Sequence, residues 1–223
     1  MVDSSSAVHV PAGAVTLEGN LTVPDNAGGV VLFAHGSGSS RHSPRNRHVA
    51  ALLNEARLAT LLVDLLTADE EGIDRRTAHL RFDIPLLATR LTAATDWLQQ
   101  QPATRRLRIG YFGASTGAGA ALVAAAERSD AVGAVVSRGG RPDLAGTALA
   151  HVRAPTLLIV GENDPTVIEL NRLALGQLRV AKRLVIVPGA SHLFEEPGAL
   201  DEVAWLAREW YERHLAQVQA RAG

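Results

Sequence analysis

Two glycines flank a serine in Gly113-Ala114-Ser115-Thr116-Gly117, and the chain on either side of this pentapeptide differs in kind. Leu107 to Phe112 before it is short and apolar, whereas an alanine-rich stretch follows it as far as Glu127. This is GxSxG between a strand and a helix, a turn so tight that side chains two positions before and after the serine must be absent. Ser115 Oγ would project above the sheet, with the positive end of a helix beside it. Such a hydroxyl is suited to attack on an acyl carbon. A plain glycine–serine loop is the competing reading, and the strand–turn–helix context argues against it.

A serine hydroxyl is too weak an acid to attack unaided, so a histidine must take its proton and a carboxylate must hold that histidine. For a nucleophile on this kind of turn the acid comes next in the chain and the histidine last. Of eight histidines, only His192 and His214 lie beyond the acid candidates. His192 follows an apolar run in Pro188-Gly189-Ala190-Ser191-His192, while His214 is deep in the terminal helical pattern, so His192 is the expected base. Asp164, in Gly161-Glu162-Asn163-Asp164-Pro165, is the expected acid, with Glu162 read as solvated and Asp143 as the reserve. Pro165 can open a helix, so Asp164 also fits a plain N-cap.

An oxyanion needs two backbone N–H donors, one from the residue after the nucleophile and one from the loop after an earlier strand. Thr116 supplies the first. The second is expected from His35-Gly36-Ser37-Gly38, with Ser37 as donor, Gly38 as the reserve donor and a candidate substrate contact, and His35 structural. Arg138 and Arg141, in Ser137-Arg138-Gly139-Gly140-Arg141-Pro142-Asp143, are candidate clamps for an acidic substrate group. The alternative is that they anchor a neighbouring carboxylate such as Asp143.

The elements that must carry these residues can be read from periodicity. Val30 to Ala34, Thr60 to Val63, Leu107 to Phe112, Val132 to Val136, Thr156 to Val160 and Leu184 to Val187 are apolar on both faces and too short for helices. They read as parallel strands covered on both sides. Val15 to Leu17 and Leu21 to Val23 flank Gly19-Asn20, which predicts a hairpin and an antiparallel N-terminal edge. Ser43-Pro44 predicts a helix start, with Val49, Leu52, Leu53 and Ala56 as the buried stripe. Ile84, Leu87, Leu91, Ala94 and Leu98 mark a helix closed by Pro102, and Val203, Ala207 and Trp210 mark the last one. Leu66 to Arg81, rich in Asp, Glu and Arg, reads as a solvated loop. Strands alternating with helices predict a doubly wound, mostly parallel α/β sheet with helices on both faces, whose ligands bind at the carboxyl ends of the strands.

At 223 residues the chain is long enough for one such domain, spanning 1–223. With 47% hydrophobic and 20% charged residues it has a globular composition, and a net charge of -1 provides no field for nucleic acid or anionic lipid. No cysteine is present, which excludes disulfides, a thiolate nucleophile and Cys-ligated metals; no metal cluster is evident and no cofactor is required. Lys182 is the single lysine, so a Schiff-base enzyme would have one candidate, and no glycine loop ending in lysine exists. Gly36-Ser37-Gly38 invites a dinucleotide-binding reading, but Arg41 stands where the third glycine belongs and the helix starts only at Pro44. Met1 to Val10 lacks the charge and apolar core of a signal peptide and no run is long enough to span a membrane, so a cytoplasmic protein is expected. No motif bears on oligomeric state.

Taken together, Phe33-Ala34-His35-Gly36, Asp64-Leu65-Leu66-Thr67, Gly113-Ala114-Ser115-Thr116-Gly117, Gly161-Glu162-Asn163-Asp164 and Gly189-Ala190-Ser191-His192 resemble the dienelactone-hydrolase-related branch of the α/β-hydrolase superfamily. The resemblance covers nearly the whole chain and agrees with the Ser115, Asp164 and His192 assignments. True dienelactone hydrolases carry cysteine at the position of Ser115, so the resemblance points to ester hydrolysis rather than dienelactone turnover. It implies a small-molecule ester substrate and an acyl-enzyme on Ser115. Thioester, lactone or peracid chemistry would use the same triad, and a non-catalytic binding scaffold is the reading of another class. Between the strands ending near Val136 and starting near Thr156 there is room for one short helix, around Leu144 to His151, and for no covering lid.

Overall fold

The chain enters its sheet through a hairpin. Strands β1 (Ser6–Ala12) and β2 (Val15–Thr22) pair antiparallel, with Ala12 opposite Val15. The turn is therefore Gly13-Ala14, with Gly13 at φ +68°, a backbone that glycine alone adopts without strain. This corrects the hairpin expected at Gly19-Asn20, which lies inside β2. A Cβ on Gly19 would come within 3.1 Å of Leu61 Cδ1 and 3.2 Å of Val8 Cγ2, so the glycine admits two neighbouring strands and makes no turn.

The computed structural model describes residues 5–215. After the hairpin come β3 (Val30–Ala34), α1 (Pro44–Glu55), β4 (Ala59–Val63), α2 (Ala68–Thr77), α3 (Ile84–Gln100), β5 (Ile109–Ala114) and α4 (Thr116–Glu127). Then follow β6 (Val132–Arg138), β7 (Thr156–Gly161), α5 (Pro165–Gln177), β8 (Lys182–Val187) and α6 (Ala199–Leu215). One eight-stranded sheet results, in the order β1-β2-β4-β3-β5-β6-β7-β8, with the β1–β2 and β2–β4 pairs antiparallel and every pair from β4 through β3 to β8 parallel.

The alternation of side chains splits each central strand between two cores. Val30, Leu32, Ala34, Ile109 and Tyr111 pack with α3 and α4, while Val31, Phe33 and Phe112 pack with α1 and α6. Strands β3 to β7 are buried at every position, as their continuous apolar runs require. On the second face Phe33 and Phe112 meet with ring centroids 4.8 Å apart. Full burial of each such side chain is worth about 1.5–3 kcal/mol, so both faces must be covered.

From β3 the chain steps outward to β4 and then crosses back to β5 on the other side of β3. The carboxyl ends of β3 and β5 thus face each other where the winding direction reverses, the place where such sheets bind ligands. Ser43 caps α1 by accepting the Asn46 N–H, as its Ser-Pro signal predicts.

Leu66 to Arg81 is not a solvated loop. It holds α2 and a 3-10 turn at Leu80–Phe82, and Thr67 and Glu70 form a reciprocal capping box at the helix start. Glu70 also pairs with the buried Arg90 of α3 at 2.8 Å, and Asp74, only 3% exposed, accepts from Arg81 Nε at 2.6 Å. The charged composition hides this order because the charges serve one another. Between β6 and β7 lies one 3-10 segment, Pro142–His151, broken at Gly146, where a short helix was expected.

Candidate active site

Ser115 sits at φ +50° and ψ −124°, a backbone that L-residues rarely adopt. Its surroundings explain why the turn holds. A Cβ on Gly113 would lie 2.5 Å from Ala118 Cα, and one on Gly117 would collide with the carbonyl oxygens of Ala34 and His35. Both glycines are needed so that β5, α4 and the end of β3 can close on one another. The serine backbone is then gripped from the end of β6 and the loop after it, its N–H donating to Arg138 O at 3.3 Å and its carbonyl accepting from Arg141 N at 3.0 Å.

The loop after β3 lies against this turn, with Ser37 Oγ and Thr116 Oγ1 hydrogen-bonded at 3.0 Å. Among the described residues the backbone N–H groups of Ser37 and Thr116 have no protein acceptor. His35 braces the loop: Leu65 N–H donates to its Nε2 at 3.1 Å, which leaves Nδ1–H to donate to Gly36 O at 3.0 Å. Arg41 braces it from the other end, its N–H donating to Asp64 Oδ1 at 2.6 Å and its guanidinium pairing with Asp64 and Glu18.

Asp164 and His192 meet across the loops after β7 and β8, Oδ2 to Nδ1 at 2.6 Å. Asp164 Oδ1 accepts the Val167 N–H at 3.4 Å and so caps α5 as well. The two readings of Asp164 are therefore both realised, one by each oxygen. The pair is unevenly placed, the Asp164 side chain 15% exposed and that of His192 40%. Nδ1 faces the carboxylate and Nε2 has no protein partner among the described residues, nor does Ser115 Oγ donate to it.

Other residues of these loops carry work that no sequence signal announced. Glu162, read as solvated, accepts the Gly189 N–H at 2.8 Å, and Asn163 Nδ2 donates to Gly189 O at 2.8 Å. Glu196 accepts the Ser191 N–H at 3.0 Å, a bond that holds its carboxyl below the ordinary value. Asp143 is taken up by Arg141 in a forked pair at 2.9 and 2.7 Å, which raises the arginine's pKa. This is the anchoring alternative for Arg141, and it leaves Asp143 away from His192. Arg138 is 8% exposed and faces α1 and α6; burial, then the Arg45 charge, pushes its pKa down to about 10.

A cleft of about 230 Å³ opens beside the serine turn. Gly36 to Ser40 and Thr116 form one wall, and Leu66, Glu71, Asp74, Arg75, Arg81 and Leu87 form the other. Gly38 faces it at φ +66°, with Arg81 Nη1 3.8 Å from where a Cβ would stand. Neither Arg138 nor Arg141 lines this cleft. Among the described residues no group of three or more His, Cys, Asp or Glu could hold a metal ion, and no helix is long and apolar enough to cross a membrane.

The sheet order and the serine turn between β5 and α4 define an α/β hydrolase. The family model of the dienelactone hydrolase family matches residues 21–220, and the chain belongs to that family. It is 66% identical to a dienelactone hydrolase from Anabaena variabilis of known crystal structure, covering 96% of this chain and 100% of that one with a TM-score of 0.95. Est1E from Butyrivibrio proteoclasticus shares the fold at 18% identity, covering 94% of this chain and 98% of that one, TM-score 0.78. A Mycobacterium tuberculosis protein carrying the provisional name phosphoribosyl transferase is 60% identical over 208 residues, 93% of this chain and 46% of that protein. The chain thus spans about half the length of the curated relatives it matches.

Proposed function

We propose that residues 1–223 act as one domain that hydrolyses a small carboxylic ester through an acyl-enzyme on Ser115. His192 Nε2 takes the Ser115 proton as Oγ attacks the acyl carbon, and then delivers it to the leaving alcohol. The N–H groups of Ser37 and Thr116 receive the oxyanion, and a water activated by the same histidine releases the acid. Asp164 holds the histidine in the tautomer whose Nε2 is free to accept. The observation that carries this reading is the 2.6 Å bond from His192 Nδ1 to Asp164 Oδ2, at the same end of the sheet as the strained Ser115. The bond between serine and histidine is expected to form when substrate binds, as such bonds tighten in the Michaelis complex.

The transferase name of the mycobacterial relative describes a protein more than twice the matched length, and hydrolysis is the activity proposed for this chain. The test is reaction with a fluorophosphonate followed by peptide mass spectrometry, alongside a panel of p-nitrophenyl esters, thioesters and lactones. Modification at Ser115 with fastest turnover of a short ester is the expected result. Modification at another residue would overturn the nucleophile, and preference for a thioester or lactone would reassign the substrate class.

A further inference from the structure

Arg138 poses a physical problem. Among the described residues this guanidinium, 8% exposed, has no carboxylate partner, and its Nε and Nη1 have no hydrogen-bond acceptor. Its one side-chain hydrogen bond among the described residues is Nη2 to Asn46 Oδ1 at a long 3.4 Å, and the charge it feels from Arg45 is that of another cation. Removing an unpaired buried charge usually stabilises a fold, so contribution to stability does not account for this residue.

Its position supplies an account. The Arg138 guanidinium lies over the ring of Phe194, 6.0 Å from its centroid. Phe194 is fully buried and stands two residues after His192 with φ +57°, a left-handed backbone that costs a bulky residue strain. Such a conformation persists only where its surroundings hold the ring in place. Gly139, the residue after Arg138, is itself at φ +50°, and a Cβ there would approach His192 O to 3.0 Å and the Phe194 ring to 3.4 Å. At the same time the Arg138 carbonyl accepts the Ser115 N–H. Ser115 and His192 share no hydrogen bond of their own, and Arg138 touches the supports of both.

We propose that Arg138 is a positioning residue: its carbonyl holds the Ser115 amide while its guanidinium supports Phe194, so that one residue sets where serine and histidine stand relative to each other. The proposal rests on the hydrolase reading above. Arg45 reinforces it from α1, its Nη1 pairing with Glu195, the neighbour of Phe194, at 3.2 Å.

The test measures kcat, KM and Tm for Arg138→Met, Phe194→Leu and the double variant with p-nitrophenyl acetate. Arg138→Met is expected to lower kcat roughly 10- to 100-fold, the scale of a misplaced catalytic pair, with KM within about twofold. Its Tm is expected to hold or rise, which a merely structural arginine would not allow. Phe194→Leu should cost kcat similarly, and the double variant should fall no further than the worse single. Phe194→Leu leaves the arginine in place and carries the test if Arg138→Met does not fold. Wild-type kcat in either variant, or losses that simply add, would overturn the proposal. Wild-type protein that fails to react with the fluorophosphonate at Ser115 would instead remove the hydrolase reading.

Discussion

Asp164 divides its two oxygens between His192 and the helix behind it: Oδ2 accepts from the imidazole at 2.6 Å while Oδ1 accepts the Val167 N–H at 3.4 Å. Catalytic and structural roles can therefore be separated by substitution. Asp164→Asn keeps an oxygen for the cap but disfavours the tautomer that leaves Nε2 free, so kcat is expected to fall about 10⁴-fold with little change in Tm. Asp164→Ala should lose the same activity and also about 1 kcal/mol of stability with the cap. Asp143→Asn, which breaks only the Arg141 fork, should keep activity. Kinetics and thermal melts of the three variants decide this, and an inactive Asp143→Asn would move the acid to β6.

The left-handed backbone at Ser115 predicts a gain in stability when the nucleophile is removed in the right way. Ser115→Ala keeps φ +50° and its strain, so its Tm should match the wild type while fluorophosphonate labelling disappears. Ser115→Gly relieves the strain at some cost in unfolded-state entropy, for a net gain of about 1 kcal/mol. A glycine variant that melts below the alanine variant would show that the turn is not strained.

The Asp74–Arg81 contact should make α2 sensitive to acid. Burial favours the neutral acid, but the Arg81 side chain and the backbone N–H donors outweigh it and hold the Asp74 carboxyl below its ordinary value of 3.8. A carboxyl depressed in the folded state contributes stability that is complete above the ordinary value and lost as pH falls through the lower, folded one. Asp74→Ala is therefore expected to cost about 2 kcal/mol at neutral pH. The difference in Tm from wild type should shrink below pH 4. A constant difference across that range would mean that the carboxylate charge is not what holds the segment.

Short acyl groups should be preferred. The cleft beside Ser115 is about 230 Å³, and apart from Leu66 and Leu87 the second wall is charged. Each additional methylene left in water forgoes about 0.8 kcal/mol that an apolar pocket would supply. The wall is also tied down, by the Thr67–Glu70 capping box, Glu70 to Arg90 and Asp74 to Arg81, so it has no built-in freedom to act as a lid. kcat/KM measured from acetyl to palmitoyl esters, with and without micelles, is expected to fall with chain length and to show no jump at the micelle threshold. A rise toward long chains or a micelle-dependent jump would show that α2 moves.

The sequence by itself determined the elements whose reasons are local. Apolar runs flanked by turn residues located the six parallel strands, Ser43-Pro44 located α1, and the GxSxG spacing located the serine turn, because strand burial, capping and tight-turn sterics each act within a few residues. Local signals also erred where two sites offered the same chemistry. Gly19-Asn20 and Gly13-Ala14 are both plausible turns, and pairing of β2 on both sides selected the second. Leu66 to Arg81 looked like a solvated loop because its charges count as polar in any local reading, and only the fold brings Glu70 to Arg90. The same limit applies to the candidate site. Asp164 and His192 could be named from their strand ends, but whether Asp143 or Asp164 meets the histidine depends on loops 28 residues apart in the chain closing to 2.6 Å. Arg138 was legible as an arginine at a strand end and so as a candidate clamp for an acidic substrate group, yet it does not line the cleft. Its burial, its missing counter-charge and its place over Phe194 arise from packing between β6, α1 and the histidine loop, and contacts of that kind exist only once the tertiary structure has formed.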